Sequence, residues 1–278
     1  MSTESRNPRS FGLDKMTAKE IVRLMNEEEF SVLNALQKVE DDLAQAAERV
    51  AQAFQEGGRA IYVGAGTSGR VATMDAAEMP PTFGIEPHRF VALIAGGGDA
   101  AAKSVEDAED DEHQAIVDLN NLDVNRKDVV IGIAASGRTP YVLSAVRHAN
   151  QKGIWTCGIA NNLDTPLTQS ADLGIVLRSG PEVLTGSTRL KAGTAQKLAL
   201  NRISTAAMVL SGKVVENLMV DVKAKNVKLK ERCVRILRDL TTCTIDEAWE
   251  VLERHAWNVR DALDEVRSAA PASRAFEV

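Results

Sequence analysis

The stretch AIYVGAGTSGRVATMDAAEMPPTFG, residues 60–84, sets a short apolar run against a glycine-rich turn and then a segment of helical composition. Ala60–Val63 is apolar at every position, the pattern of a strand covered on both faces. Gly64, Gly66 and Gly69 satisfy G-x-G-x-x-G, and Pro80 and Pro81 close the segment that follows. Strand, tight turn and helix in that order predict the first half of a βαβ unit, with ligand chemistry at the helix start.

The same grammar recurs downstream. Apolar runs at Phe90–Ala95, Val129–Ala134, Ile154–Ala160 and Leu173–Leu177 are separated by helical or long polar stretches, notably Arg70–Met79, Ala100–Asn120 and Tyr141–Gln151. The alternation predicts an α/β fold with a right-handed, doubly wound parallel sheet of five strands. Upstream, Thr17 reads as an N-cap before AKEIVRLMNEEE, and a second amphipathic stretch covers Ser31 to Phe54. A long helix is expected from near Ser187 to Gly212, and three short amphipathic helices after Asn226, with Thr244 and Asn258 as caps. The expected domains are an N-terminal helical segment at 1–54, the α/β domain at 55–222 and a helical subdomain at 223–278, with the tail APASRAFEV frayed.

Composition narrows the function classes. The 278 residues carry a net charge of −6 with dispersed basic residues, which argues against nucleic acid but leaves small anions open. No apolar run approaches the ~20 residues of a membrane span, and the N-terminus lacks a signal-peptide pattern. Cys157, Cys233 and Cys243 have no C-x-x-C spacing, which fits a reducing cytoplasm, and the four histidines form no ligand cluster, so no metal is expected.

What does the glycine loop hold? A dinucleotide needs an acidic residue at the tip of the second strand, yet that strand ends in ALIAGGG. A P-loop needs Lys and then Ser or Thr after its last glycine, where this chain has Arg70 and Val71. The third run leads into a second loop, AASGRTP, with Ser136 and Thr139 hydroxyls around Gly137 at another helix start. Two such loops on neighbouring strands offer backbone N–H groups, hydroxyls and helix dipoles to a single phosphate. A third segment adds Ser187, Thr188, Arg189 and Lys191.

GAGTSGR, DAAEMPPTFG, VEDAEDD, GIAASGRTPYV, GPEVLTGSTRLKAGTAQKLALN and GKVVENLMVDV, in that order, resemble the N-acetylmuramic acid 6-phosphate etherases of the sugar isomerase (SIS) domain superfamily. The likeness spans roughly residues 5 to 240. It implies a sheet in the flavodoxin-like order, a cytoplasmic homodimer with a shared active site, a phosphosugar substrate and cofactor-free cleavage of a lactyl ether. The glucokinase regulatory proteins share these motifs and bind phosphosugars without cleaving them, so a non-catalytic regulator is the alternative. An isomerase is a third. Candidate substrate-binding residues are Gly66, Thr67, Ser68, Ser136, Gly137, Arg138, Thr139, Glu182, Ser187 and Lys191.

The resemblance also implies that Glu78 is the acid/base that assists lactate departure and that Glu109 is the second catalytic glutamate, a candidate for the C2 proton. The apolar neighbours of Glu78 predict a shielded carboxylate with a raised pKa. Glu109 sits among Glu106, Asp107, Asp110, Asp111 and Glu112, and the residues alone do not choose among the six. A helix beginning near Gly69 would carry Glu78 ~13 Å along its axis, which points to completion of the site by a neighbouring subunit or to a later helix start. Ala77, Met79 and Ala72 depart from the family pattern. TIDEAWEVLERHAWNVRDAL resembles a ubiquitin-associated-like bundle, expected here to pack or to support a dimer rather than to bind ubiquitin.

Overall fold

A computed structural model describes residues 2–103, 105, 107–222, 224 and 226–269. The tail expected to fray lies outside them. The chain divides into two compact units, Met1–Ala77 with Pro87–Ala207, and Glu78–Glu86 with Met208–Val278. The N-terminal helices thus belong to the same unit as the sheet, and the second unit begins before the boundary expected at 222.

The first unit opens with short 3-10 turns and then α1 (Ala18–Gln37) and α2 (Glu40–Gln55). Thr17 and Glu20 form a reciprocal capping box at the start of α1. Then come β1 (Ala60–Gly64), α3 (Gly66–Phe83), β2 (Phe90–Ile94), α4 (Glu112–Asn121), β3 (Val129–Ile133) and α5 (Pro140–Gln151). β4 (Trp155–Ala160), α6 (Pro166–Ser170), β5 (Leu173–Val176) and α7 (Lys191–Leu210) complete the series. All strand pairs are parallel, in the order β2-β1-β3-β4-β5, so β1 and β3 are neighbours near the centre.

β1 and β3 are buried at every position, because helices cover both faces. α5 turns Tyr141, Val142, Ala145, Val146 and Ala149 onto this core at helical spacing. Gly69 is required by a close approach: a Cβ there would stand 2.5 Å from Cγ1 of Ile94, so only glycine lets α3 lie against β2. Behind the sheet core, the buried Asp75 carboxylate accepts from Tyr62, Asn201 and Ser204. Burial raises its pKa, against the lowering effect of those three donors.

One long connection is part helix, and one expected helix shortens. Among its described residues, the 100–120 connection is helical in turns at Gly98–Ala101 and Ala108–Asp110 and in α4, whose start is fixed by the Asp111 side chain accepting from the Gln114 N–H at 2.8 Å. The long helix begins at Lys191 rather than Ser187, because Leu190 N–H bonds back to Ser187 in a turn.

The second unit contains α8 (Val227–Asp239), α9 (Ile245–Arg254) and α10 (Val259–Ala269) around a core of Cys233, Leu237, Leu252 and Leu263. Thr244 closes a capping box with Glu247, and Asn258 accepts from the N–H groups of Arg260 and Asp261. Arg260 and Lys213 both pair with Asp221. No helix among the described residues is long and apolar enough to cross a membrane.

Candidate active site

Gly64 and Ile133 are register partners, so β1 and β3 end level with one another and their loops emerge side by side at the carboxyl edge of the sheet. There a cleft of about 380 Å³ is lined by Thr67 and Ser68 of the first loop and Ser136, Arg138 and Thr139 of the second. Thr188 from the third segment and Glu4, Glu109 and Asp110 complete its rim. The α3 N-terminus at Gly66 opens into this cleft, which gives an anion unpaired N–H groups and a helix dipole as well as hydroxyls.

The second loop is held stiffly. Ser136 Oγ accepts from Arg138 N–H at 3.1 Å, and Gly137 N–H donates to Ala134. Gly137 has a φ of +65°, and a Cβ there would meet Thr165 at 2.4 Å. Its carbonyl in turn accepts from Leu167 N–H. A loop tied on both sides presents its donors without reorganising.

The third segment works differently. Both oxygens of the buried Glu182 carboxylate accept from N–H groups at the start of α7, Lys191 at 3.0 Å and Ala192 at 2.9 Å. Burial raises the Glu182 pKa, against the lowering effect of those two backbone donors. The Lys191 side chain is 3% exposed and its ammonium lies 2.6 Å from Glu28, which also accepts from Asn7 and Arg9. Glu182 and Lys191 therefore hold the segment in place, whereas its contribution to the cleft lining is Thr188. Ser187 is half-buried in the turn before it.

Geometry separates the acidic run that spacing could not. Glu109 and Asp110 line the first cleft, Asp107 and Glu109 line a second one, and Asp111 caps α4. Among the described members of the run, Glu109 alone reaches both; Glu106 lies outside the described residues. The second cleft, also about 380 Å³, shares Ala65, Gly66 and Glu109 with the first and adds Arg70.

Glu78 is exposed among the described residues, so its apolar sequence neighbours do not themselves shield it. Helix α3 starts at Gly66 rather than near Gly69, so the later helix start is not what the chain adopts. Of the departures from the family pattern, Met79 and Ala72 are buried apolar residues and Ala77 is exposed.

Sequence reasoning missed Glu4. It sits in a 3-10 turn that Asn162 fastens to the site by accepting from Thr3 N–H and donating to Thr3 Oγ1 and to the Ala135 carbonyl. No periodicity marks such a residue. Among the described residues no group of three or more His, Cys, Asp or Glu could hold a metal ion.

The family of glucokinase regulatory protein N-terminal SIS domains matches residues 42–150, and the SIS domain family matches residues 105–205. The N-acetylmuramic acid 6-phosphate etherase of Geobacillus thermodenitrificans is 51% identical over 263 residues, covering 95% of this chain and 89% of the relative. That of Actinobacillus succinogenes is 46% identical over the whole of this chain and 91% of its own length. The chain belongs to the N-acetylmuramic acid 6-phosphate etherase family. Among solved structures, a phosphoheptose isomerase from Francisella tularensis superposes with a TM-score of 0.54 at 18% identity, covering 69% of this chain and 98% of that one. The phosphoheptose isomerase from Neisseria gonorrhoeae gives 0.52 at 18% identity over 70% and 98%. These two share the SIS fold with the etherase chain.

Proposed function

We propose that the protein is a carbon–oxygen lyase that cleaves the D-lactyl ether of N-acetylmuramic acid 6-phosphate, giving N-acetylglucosamine 6-phosphate and D-lactate. The observation that carries the reading is Glu109, a carboxylate common to a hydroxyl-rich cleft and an adjoining cleft that holds Arg70. The etherase relatives, which cover nearly the whole chain, support a catalyst over a regulator.

In this reading Thr67, Ser68, Ser136, Gly137, Arg138, Thr139 and the α3 N-terminus hold the 6-phosphate. The sugar reacts in its open aldehyde form, where the carbonyl acidifies the C2 proton. Glu109 takes that proton, the C3–O bond breaks as a C2–C3 double bond forms, and Glu78 protonates the departing lactyl oxygen. Glu78 then deprotonates a water that adds at C3, and C2 regains a proton. Electrons balance without a redox partner, so no cofactor is called for.

The exposed Glu78 supports a homodimer in which each subunit lends its Glu78 to the other. The free cysteine thiols suit a cytoplasmic setting. Incubation with the substrate in deuterated water tests the reaction: D-lactate release and deuterium at C2 are expected, and tight binding with neither overturns it. Mixing Glu78→Gln subunits with Ser136→Ala subunits should restore activity in the hybrids, and no recovery overturns the sharing.

A further inference from the structure

The phosphate and the C2 proton use the first cleft and Glu109, which leaves the second cleft without a task. Its lining sets small apolar side chains, Ala65, Ala95, Ala100 and Ala108 with Val105, beside the carboxylates of Asp107 and Glu109, and among the described lining residues it holds one cation, Arg70. Arg70 lies one turn into α3, where its Nη2 donates to the Lys103 carbonyl at 2.8 Å. No carboxylate among the described residues pairs with it within ion-pair distance. A guanidinium carries five N–H donors in a planar fork, and one bond to a carbonyl leaves a donor edge for a bidentate carboxylate.

We infer that the second cleft is the subsite for the lactyl group, with Arg70 as the residue that recognises its carboxylate. The inference rests on the etherase reading and adds to it a determinant of specificity. A lactyl ether carries one methyl group and one carboxylate on a single carbon, which match the alanine side chains and the one forked cation of this cleft. The sugar then spans Gly66 and Glu109, the elements common to both clefts, and its C2 and C3 lie beside the base. Asp107 and Glu109 also line the subsite, so without the guanidinium it would repel an anionic substituent. The product sugar has lost the carboxylate and no longer engages Arg70. Substrate is held at both ends of the site and product at one.

The test compares wild type with Arg70→Met and Arg70→Lys by titration calorimetry and by lactate release. The ligands are N-acetylmuramic acid 6-phosphate, its lactyl amide and N-acetylglucosamine 6-phosphate. Arg70→Met should weaken binding of the acid by about 10- to 100-fold, the span of one charge-assisted contact, and bind the product within about 2-fold of wild type. Wild type should prefer acid over amide, Arg70→Met should lose that preference, and Arg70→Lys should keep part of it. Equal weakening of acid and product, or an acid preference that survives in Arg70→Met, overturns the assignment. Failure of the etherase reading would look different, as absence of lactate release by the wild-type protein, and the binding comparison stands independently of turnover.

Discussion

Removing Lys191 and removing Glu28 should not be equivalent, although the two form one buried ion pair. Their side chains are 3% and 10% exposed and their charged atoms are 2.6 Å apart. Glu28 has further donors in Asn7 at 2.7 Å and Arg9 at 3.0 Å, whereas Glu28 is the carboxylate paired with Lys191 among the described residues. Glu28→Leu therefore leaves a buried ammonium without its counter-ion, at a cost of about 3–5 kcal/mol. Lys191→Met leaves a carboxylate with two donors and should cost about 2 kcal/mol, near the value of one hydrogen bond to a charged group. The double variant replaces the pair by apolar side chains and should fall within about 1–2 kcal/mol of wild type, so the cycle yields a coupling of several kcal/mol. Urea denaturation at neutral pH supplies the four stabilities. Additive single effects would refute the pairing. So would a Lys191→Met protein of wild-type stability that has lost phosphosugar binding, since that would place the ammonium on the phosphate.

Gly137→Ala must adopt a left-handed backbone and seat a Cβ 2.4 Å from Thr165, so about 2–5 kcal/mol of stability should be lost together with phosphosugar binding; unchanged melting and affinity would refute the strain. Thr244→Ala removes the capping box of α9 and should cost about 1 kcal/mol in thermal unfolding, and an unaltered transition would count against it. Glu28 and Asp75 should give pH dependences of opposite sign. Burial pushes the Glu28 pKa up, but the bonds from Lys191 and Asn7 outweigh it and leave it below 4.5, so its contribution is present above that value and fades as pH falls through the folded pKa. Asp75 is raised above 3.8, so its contribution is complete below that value and is lost as pH rises through the folded pKa. Stability profiles between about pH 3 and 7 should lose the first slope in Glu28→Gln and the second in Asp75→Asn.

The sheet was legible because burial on both faces leaves no ambiguity of period. Each of the five apolar runs became a strand, with ends shifted by a residue where the chain turns toward a loop. The two glycine loops were legible for a related reason, since Gly69 and Gly137 sit where a side chain would collide. The acidic run was not: in sequence Asp107, Glu109 and Asp111 are interchangeable, and a 3-10 turn followed by a helix cap gives each a different direction. Lys191 illustrates the converse limit. A lysine beside a phosphate loop reads as an anion ligand, and only the packing of α1 reveals the buried carboxylate that claims it. Arg70 showed first as a mismatch to a P-loop, and its neighbours gained meaning once a second cleft opened beside it.

The tether between Thr3 and Asn162 has a practical consequence for anyone preparing this protein. It brings Glu4 to the rim of the anion cleft, so a purification tag or fusion partner joined ahead of Thr3 would leave the molecule beside the ligand entrance. A histidine-rich leader there would carry imidazoles and any bound metal next to the hydroxyl-lined cleft. Affinities measured before such a leader is removed would report on the leader as well as on the protein.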